Sequence, residues 1–338
     1  MKKKLLSLIL VVTFTFGMTA CGNSTESTDS KRIAELEEQI EELQQQLEEA
    51  KQGQTDTPAG DSTTSTGNFD SETQSLVDSI NADTAEYQGV CGADAKWYYK
   101  DNVLVIKGTG EISDNPWNSE NYEKSLSINW AIIDEGITQI SCESAFHGSA
   151  YYSTTGGLSK IILPSTLTDI SPSAFSHTQI TSIVLPEGLT KINEDLFDSC
   201  DSLNSVVIPN SVTEIGNGAF SRCSSLTEVT LPDSVTTIGG GAFSSCSSLK
   251  NVNIPEGVTS IKGDTFFCCT SLTDIILPSH ITEIGGFSFY GCHSLVNINI
   301  PASVENIGIA AFCSCEALDD SIRQNIEALN PDAFHTVE

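Results

Sequence analysis

Basic residues are scarce in this sequence. Lysine and arginine number 16 against 45 aspartates and glutamates, which gives the 338-residue chain a formal net charge of −29. A surface this acidic repels phosphate groups, so we expect no nucleic-acid partner and no adhesion to anionic lipids by charge alone. The ordinary consequence of such a charge is solubility with weak self-repulsion.

Catalytic and cofactor-binding motifs are also missing. The sequence pattern groups no nucleophile, base and orienting residue, and Gly108-Thr109-Gly110 lacks the third glycine of a dinucleotide-binding loop. The histidines, which could ligate a metal or carry protons, occupy unrelated positions: His147, His177, His280, His293 and His335. We therefore expect no enzyme, no cofactor and no metal site.

The apolar stretch near the N-terminus is too short to cross a membrane as a permanent helix. Leu5–Phe16 is mostly apolar over twelve residues, whereas a transmembrane helix needs about 20. It comes after the positive Lys2-Lys3-Lys4 and precedes small residues, which is the order of an export signal.

The next residues, Met18-Thr19-Ala20-Cys21, resemble the lipobox of bacterial lipoproteins. In that family the cysteine is acylated and becomes the mature N-terminus. Met18 stands where the family prefers leucine, and an ordinary signal peptide with an incidental cysteine is the alternative. We predict a lipoprotein signal peptide over residues 1–20 and lipid attachment at Cys21. The protein would then be extracytoplasmic and anchored to the bacterial cell membrane or cell surface.

Residues 31–52 carry an apolar stripe at heptad spacing, after a polar tether at 21–30. The a and d positions hold Ile33, Leu36, Ile40, Leu43, Leu47 and Ala50. Ile at a with Leu at d favours a parallel two-stranded coiled coil. Attachment to one membrane raises the effective concentration, which favours a weak homodimer through this segment. A solvated single helix that acts as a spacer is the alternative.

Residues 53–88 are predicted to be a flexible linker. The first part, 53–69, is rich in Thr, Ser, Gly and Asp and has almost no apolar residues, a composition that cannot form a core. Within the second part, Leu76, Val77 and Ile80 indicate a short helix that docks on the next segment of the chain.

The rest of the chain is a repeat of about 23 residues. Prolines recur with one step of 22 and five of 23, at Pro164, Pro186, Pro209, Pro232, Pro255, Pro278 and Pro301. With a degenerate first copy from Asp134 that carries an insertion at Tyr151 and Tyr152, residues 134–317 hold eight copies. One copy has too few apolar residues to enclose a core, so neighbouring copies must stack and share one. The piece Leu-x-x-Val-x-Ile/Leu alternates and predicts a short strand in a parallel sheet.

Two positions of each copy are predicted to fill the core. The first is a phenylalanine opposite the sheet: Phe175, Phe197, Phe220, Phe243, Phe266, Phe289 and Phe312. The second is a cysteine: Cys200, Cys223, Cys246, Cys269, Cys292 and Cys315. Stacked equivalents point the same way, whereas tetrahedral metal ligands must converge, so we expect buried side chains and no metal site. Cys91 and Cys142 remain candidates for a disulfide.

This pattern of Pro, Ile, Phe, Cys and Leu resembles the BspA-like leucine-rich-repeat family, over about Gly89 to Glu338. The resemblance implies a β-rich solenoid, a leucine-rich-repeat right-handed coil with a parallel β-sheet. It also implies an N-terminal β cap at 89–133, which includes Trp97 and Pro116-Trp117. Lys96–Tyr99 and Val103–Ile106 alternate around a turn and predict a hairpin there. Leu318, Ile322, Ile326 and Leu329 run at helical spacing and predict a C-terminal helical cap over 318–338.

Outward strand positions carry what the sequence says about binding. The predicted ligand-binding residues are Ile162, Val184, Val207, Thr230, Asn253, Ile276 and Asn299. BspA-like proteins are associated with adhesion and host-protein binding, so the resemblance implies a cell-surface interaction protein with an extracellular protein ligand. Two alternatives remain. One is glycan capture, with Tyr151 and Tyr152 as stacking groups and with the asparagines Asn251, Asn253, Asn297 and Asn299. The other is an envelope spacer without a ligand.

Overall fold

The computed structural model of this protein describes residues 70–118, 127–147 and 157–335. The predicted signal peptide, Cys21, the tether and the coiled-coil helix lie outside these residues, as do Tyr151 and Tyr152. No helix within the described ranges is long and apolar enough to span a membrane.

The described part begins with a helix and an antiparallel β cap. Its elements are α1 (Ser71–Ser79), β1 (Tyr87–Val90), β2 (Asp94–Lys100), β3 (Val103–Ile112) and a 3₁₀ turn at Pro116–Asn118. Asp70 caps α1 by accepting a hydrogen bond of 2.6 Å from the Thr73 N–H. The short docking helix predicted from Leu76, Val77 and Ile80 is therefore present. The expectation of a flexible linker over 53–88 is wrong for 71–79 and for the start of β1.

The predicted hairpin is present. β2 and β3 pair antiparallel from Asp94↔Thr109 to Lys100↔Val103. The turn residues Asp101 and Asn102 have φ of 50° and 66°. Asp and Asn tolerate this left-handed conformation, which a two-residue hairpin of matching twist requires.

Beyond the cap, the chain forms a β-solenoid of eight coils, each with two short strands. The first strands are β4 (Trp130–Ile133), β6 (Lys160–Ile162), β8 (Ser182–Val184), β10 (Ser205–Val207), β12 (Glu228–Val229), β14 (Asn251–Val252), β16 (Asp274–Ile275) and β18 (Asn297–Ile298). The second strands are β5 (Ile137–Ile140), β7 (Asp169–Ile170), β9 (Lys191–Ile192), β11 (Glu214–Ile215), β13 (Thr237–Ile238), β15 (Ser260–Ile261), β17 (Glu283–Ile284) and β19 (Asn306–Ile307). The chain ends in α2 (Asp320–Leu329), at the position predicted for the C-terminal cap helix, and a 3₁₀ turn at Pro331–Phe334.

Equivalent strands of successive coils stack in parallel and in register. Ile215, for example, pairs with Ile192 on one side and with Ile238 on the other. The cap strand β3 pairs in parallel with both β4 and β5, and so supplies the rung on which the first coil is laid. The stack of first strands is interrupted between β6 and β8, between β10 and β12, and between β14 and β16.

A column of aromatic rings fills the centre of the solenoid. The seven repeat phenylalanines are fully buried, and neighbouring rings in the middle of the column stack 5.2–5.7 Å apart. The column continues into both caps, through Phe146 to Trp117 and Trp97 at one end and to Phe334 at the other. The caps therefore close the core with the same type of contact that the coils use.

The cysteines at the second core position, here called the ladder cysteines, are also buried. Each thiol donates to the carbonyl of the phenylalanine in the preceding coil, as Cys246 Sγ does to Phe220 O at 3.0 Å. Thr178 occupies the equivalent position at the start of the ladder. Its hydroxyl donates to the carbonyl of Phe175 in its own coil, at 2.8 Å. Cysteine therefore fills space and also satisfies a buried carbonyl.

Glycine after the repeat isoleucine reflects close stacking of coils and not an unusual backbone angle. A Cβ on Gly239 would lie 2.4 Å from the backbone N of Asn217, and one on Gly285 would lie 2.4 Å from the backbone N of Gly263. The left-handed residues instead lie two places before and two places after each phenylalanine, and most are not glycine; Asp264 and Ser245 both have φ of 59°. Their N–H groups bond to the next coil, which holds this conformation against its steric cost.

Candidate binding face

Equivalent outward positions on β3, on the first strands or directly after them form one line of side chains along the solenoid. We call this line the outward row: Val105, Ile132, Ile162, Val184, Val207, Thr230, Asn253, Ile276 and Asn299. The register pairs Val105 with Ile132, and Ile132 with Ile162. Val184 pairs with Val207 further along.

Helix α1 covers the N-terminal end of the outward row. Val77 and Ile80 form one buried cluster with Val105, Ile132 and Ile162. Ile162 is only 8% exposed, so its prediction as an exposed ligand-binding residue is wrong. The residues that bury it belong to α1, some eighty residues earlier in the chain. The apolar side of that helix is itself buried against this part of the outward row.

A hydrogen bond from a lysine of β3 holds the C-terminal part of α1. Lys107, two residues after the outward Val105 on β3, donates 2.7 Å to the Val77 carbonyl near the C-terminal end of the helix. Lys160, on β6, lies over the Trp130 ring at 4.4 Å. Hydrogen bonding by Thr73 and, to a smaller extent, the charge of Lys160 lower the pKa of the Asp70 carboxyl at the other end. The C-terminal part of α1 is therefore held at β3, where Val77 and Ile80 also contact the outward row.

Beyond α1 the outward row becomes accessible. Val184 is half-buried, Val207 is 53% exposed and Ile276 is 56% exposed. A groove of about 450 Å³ opens beside Val207, where no backbone hydrogen bond joins β10 to β12 in the described chain. Its apolar lining is Val206, Val207, Ile208 and Pro232. The other lining residues are polar and include Glu228. A large exposed apolar side chain next to a groove with apolar and polar lining residues is a feature of docking surfaces.

The two asparagines of the row are held by backbone groups. Asn253 accepts from the Leu231 N–H at 2.8 Å and donates to the Leu231 carbonyl at 2.7 Å. Asn299 makes the same two bonds with Leu277. Both amides thus extend the strand pairing by one step and have only part of their hydrogen-bonding capacity left for a ligand. Asn297 donates to Asp274 at 2.6 Å.

The margins of the exposed row are acidic. We consider the exposed side chains that flank Val207, Thr230 and Asn253 on the first-strand side, between residues 181 and 276. Only one of them is basic, Lys250. The acidic ones are Glu187, Glu228, Asp233, Glu256 and Asp274. A ligand that lies along the row meets a negative potential on both sides.

A charged cluster lies away from the outward row, on the first four coils. Asp198 is nearly buried and is paired with Arg222; His177 Nε2 lies 3.9 Å from the same carboxylate oxygen, and the His147 ring packs edge-on against His177 at 4.9 Å. Burial, and after it the charge of His177, lowers the pKa of His147. Its members lie one or two places after the phenylalanine in four successive coils. Sequence reasoning missed this cluster because it did not align the degenerate first copy, which carries His147, with the others.

The described residues contain no group of three or more side chains arranged to hold a metal ion. Cys91 and Cys142 are free thiols, the first buried and the second half-buried. Burial, then the nearby Cys142 and Asp114, raise the pKa of Cys91 to about 12. Sequence reasoning also missed a half-exposed aromatic pair on the sixth and seventh coils. The rings of Phe267 and Tyr290 stack there at 5.1 Å.

Comparison with known families agrees with the repeat geometry. The family model described as BspA type Leucine rich repeat region matches six copies in this chain, over residues 118–239, 144–273 and 213–338. The chain belongs to this family. The resemblance inferred from the repeat sequence and the solenoid inferred with it are thereby confirmed. No curated protein sequence matches the chain.

Solved structures of bacterial leucine-rich repeat proteins are similar to this chain. A leucine-rich repeat protein from Bacteroides ovatus is 24% identical over 66% of this chain, with a TM-score of 0.53, and this chain spans 56% of its length. A leucine-rich repeat protein from T. pallidum is 21% identical, with 72% of this chain and 96% of that chain covered and a TM-score of 0.46. At such identities, the first of these likenesses shows a shared fold.

Proposed function

We propose that this chain is a cell-surface interaction protein whose first-strand side binds a protein ligand. The observation that carries the proposal is the exposure of Val207 and Ile276 on the outward row, each more than half exposed. At its other end the same row is buried under the apolar side of α1. Part of this surface is therefore already covered by an apolar helix of the same chain. The family is defined by a repeat and by no catalytic motif, which favours a binding role over an enzymatic one.

The stacked coils give this surface its rigidity. In-register strands and the continuous aromatic column hold the outward side chains at fixed spacing. A preorganised surface loses little conformational entropy on binding, so modest apolar contacts yield useful affinity. The acidic margins add selectivity, because they disfavour acidic partners and attract basic ones.

Attachment to the bacterial membrane through Cys21 is part of the proposal. The supporting features are the positive segment, the apolar stretch and the lipobox-like residues that end at this cysteine. Residues 31–52 would form a weak homodimer or a spacer between the membrane and the repeats. Analytical ultracentrifugation of the full chain and of a chain without 31–52 separates these roles, because a spacer leaves the chain monomeric in both cases.

Binding should be measured on an array of purified extracellular-matrix proteins and glycans. The test variant is Val207→Thr combined with Ile276→Thr, which removes apolar surface but keeps the β-branched shape. The matched control is Thr213→Ser with Thr236→Ser on the second-strand side. A protein ligand that binds the wild type and the control but not the test variant supports the proposal.

Other outcomes lead to the alternative functions. A glycan ligand that is lost on changing Asn251 and Thr230 would support glycan capture, which the backbone bonds of Asn253 and Asn299 make less favourable. If the array yields neither a protein ligand nor a glycan ligand, an envelope spacer becomes the better account. A ligand that binds the test variant as tightly as the wild type would contradict the assignment of this surface.

A further inference from the structure

The seat of α1 shows what kind of element fits the outward row. The helix has nine residues, about 13.5 Å at 1.5 Å per residue. The outward residues that it covers lie on β3, β4 and β6, which span two strand spacings, about 9.6 Å. The helix is therefore long enough to lie across all three strands.

Helical spacing matches the spacing of the coils. Residues i and i+3 of a helix rise by about 4.5 Å, and residues i and i+4 by about 6 Å. These values bracket the strand spacing of about 4.8 Å. A helix laid along the stack can therefore place one apolar side chain against each successive coil. On the cap and first coils, Leu76, Val77 and Ile80 of α1 pack together against Val105, Ile132 and Ile162.

The row continues past Ile162 without a cover in the described chain. The next strand is β8 with Val184, and the one after it is β10 with Val207. The groove lined by Val206, Ile208 and Pro232 opens between β10 and β12. Strands β10 and β12 are not hydrogen-bonded to each other across this groove. A helix can dock there through side chains alone, as α1 does on the cap and first coils.

We propose that the row from Val184 to Thr230 docks an amphipathic helix of a partner protein, with basic residues beside its apolar stripe. This rests on the proposed function and names the partner's chemistry. The surface is continuous with the one on which α1 is seated, and the charge of its margins selects a basic helix. Glu228 lines the groove itself, and Glu187 and Asp233 lie on the opposite margin.

The test uses three synthetic peptides of about 14 residues, about 21 Å as a helix. The first places leucines at i, i+3, i+4 and i+7 among lysines. The second has the same composition in scrambled order, and the third replaces the lysines with glutamates. Affinity for the full chain is measured by fluorescence anisotropy at near-physiological salt, with circular dichroism to follow helix formation in the peptide.

The variant Val207→Asp separates apolar docking from adhesion by charge. It adds a negative charge, so attraction by charge alone would make the lysine peptide bind more tightly. Apolar docking predicts the opposite, a loss of about tenfold or more. Thr236→Asp, which makes the same charge change on an exposed residue of the second-strand side, is the matched control and should bind the peptide as the wild type does or slightly more tightly.

The expected result is helical binding of the striped lysine peptide, with affinity at least about tenfold above the scrambled and glutamate peptides. Equal binding of the scrambled peptide, or undiminished binding to Val207→Asp, overturns the proposal. Should a protein ligand from the array depend on Val207 while the striped peptide does not bind, the helix proposal fails and the proposed function stands. If neither binds, both fail.

Discussion

Replacing Phe243 with alanine should destabilise the solenoid severely and locally. The side chain is fully buried, and its ring stacks on Phe220 at 5.4 Å and on Phe266 at 5.7 Å, nearly parallel to both. Truncation of a buried phenylalanine costs about 3–5 kcal/mol in the free energy of unfolding. Two lost ring pairs, each worth about 0.5–1.5 kcal/mol beyond burial, place Phe243→Ala near the upper end.

The backbone around this residue should survive the change. The Phe243 N–H donates to Thr265 O, and its carbonyl accepts from Cys269 Sγ at 3.1 Å. Alanine can keep both bonds, so the loss isolates the ring. Ser244→Ala is the matched control, because Ser244 is adjacent in sequence, is half-exposed and makes no side-chain hydrogen bond in the described structure.

Urea denaturation monitored by circular dichroism measures the effect. At an m-value of about 3 kcal/mol/M, Phe243→Ala should lower the midpoint by about 1–1.7 M, and Ser244→Ala should leave it nearly unchanged. Because coils contact only their neighbours, hydrogen exchange should show the loss of protection centred on residues 220–269. Equal midpoint shifts in the two variants, or a loss spread evenly from β4 to β19, would refute the stacked-ring reasoning.

Four further predictions concern thiols, the row, pH and the anchor. Burial raises the pKa of Cys246 to about 12, so thiol titration at pH 8 should leave it unreactive until the chain unfolds, while the half-buried Cys268 reacts natively. Asn253→Ala should cost about 1–3 kcal/mol in unfolding free energy, since it leaves the backbone of Leu231 without its two partners. Because the pKa of His147 is lowered in the folded state, stability should fall as pH drops below the ordinary value of 6.5, and the variant His147→Asn should lose less between pH 7.5 and pH 5. Cys21→Ala should leave export intact and move the protein from the membrane to the soluble fraction; a variant that still sediments with membranes would rule out the lipid anchor.

The solenoid could be predicted because its information is local and repeated. Each copy places its apolar residues at the same phase, so the core positions Phe220 and Cys223 can be inferred from the period alone. The hairpin at Asp101-Asn102 and the helix over Asp320–Leu329 likewise depend on patterns within ten to twenty residues. These are the features for which neighbouring residues determine the local structure.

The candidate surface was only partly predictable, because it depends on contacts between distant segments. Whether Ile162 is exposed is decided by Val77 and Ile80, and nothing in the repeat itself indicates that cover. Whether Asn253 is free is decided by the backbone of the preceding coil. The outward position could be read from the strand pattern, whereas its accessibility and its hydrogen bonds required the tertiary structure.

Binding of an array-selected protein ligand to the wild type and to the Val207→Thr/Ile276→Thr variant tests the central claim most directly. Both side chains are more than half exposed, so the variant should unfold at the same urea concentration as the wild type. Its ligand affinity should fall by about tenfold or more, while Thr213→Ser/Thr236→Ser binds as the wild type does. Unchanged affinity in a folded Val207→Thr/Ile276→Thr variant would contradict the assignment of the outward row as the binding surface.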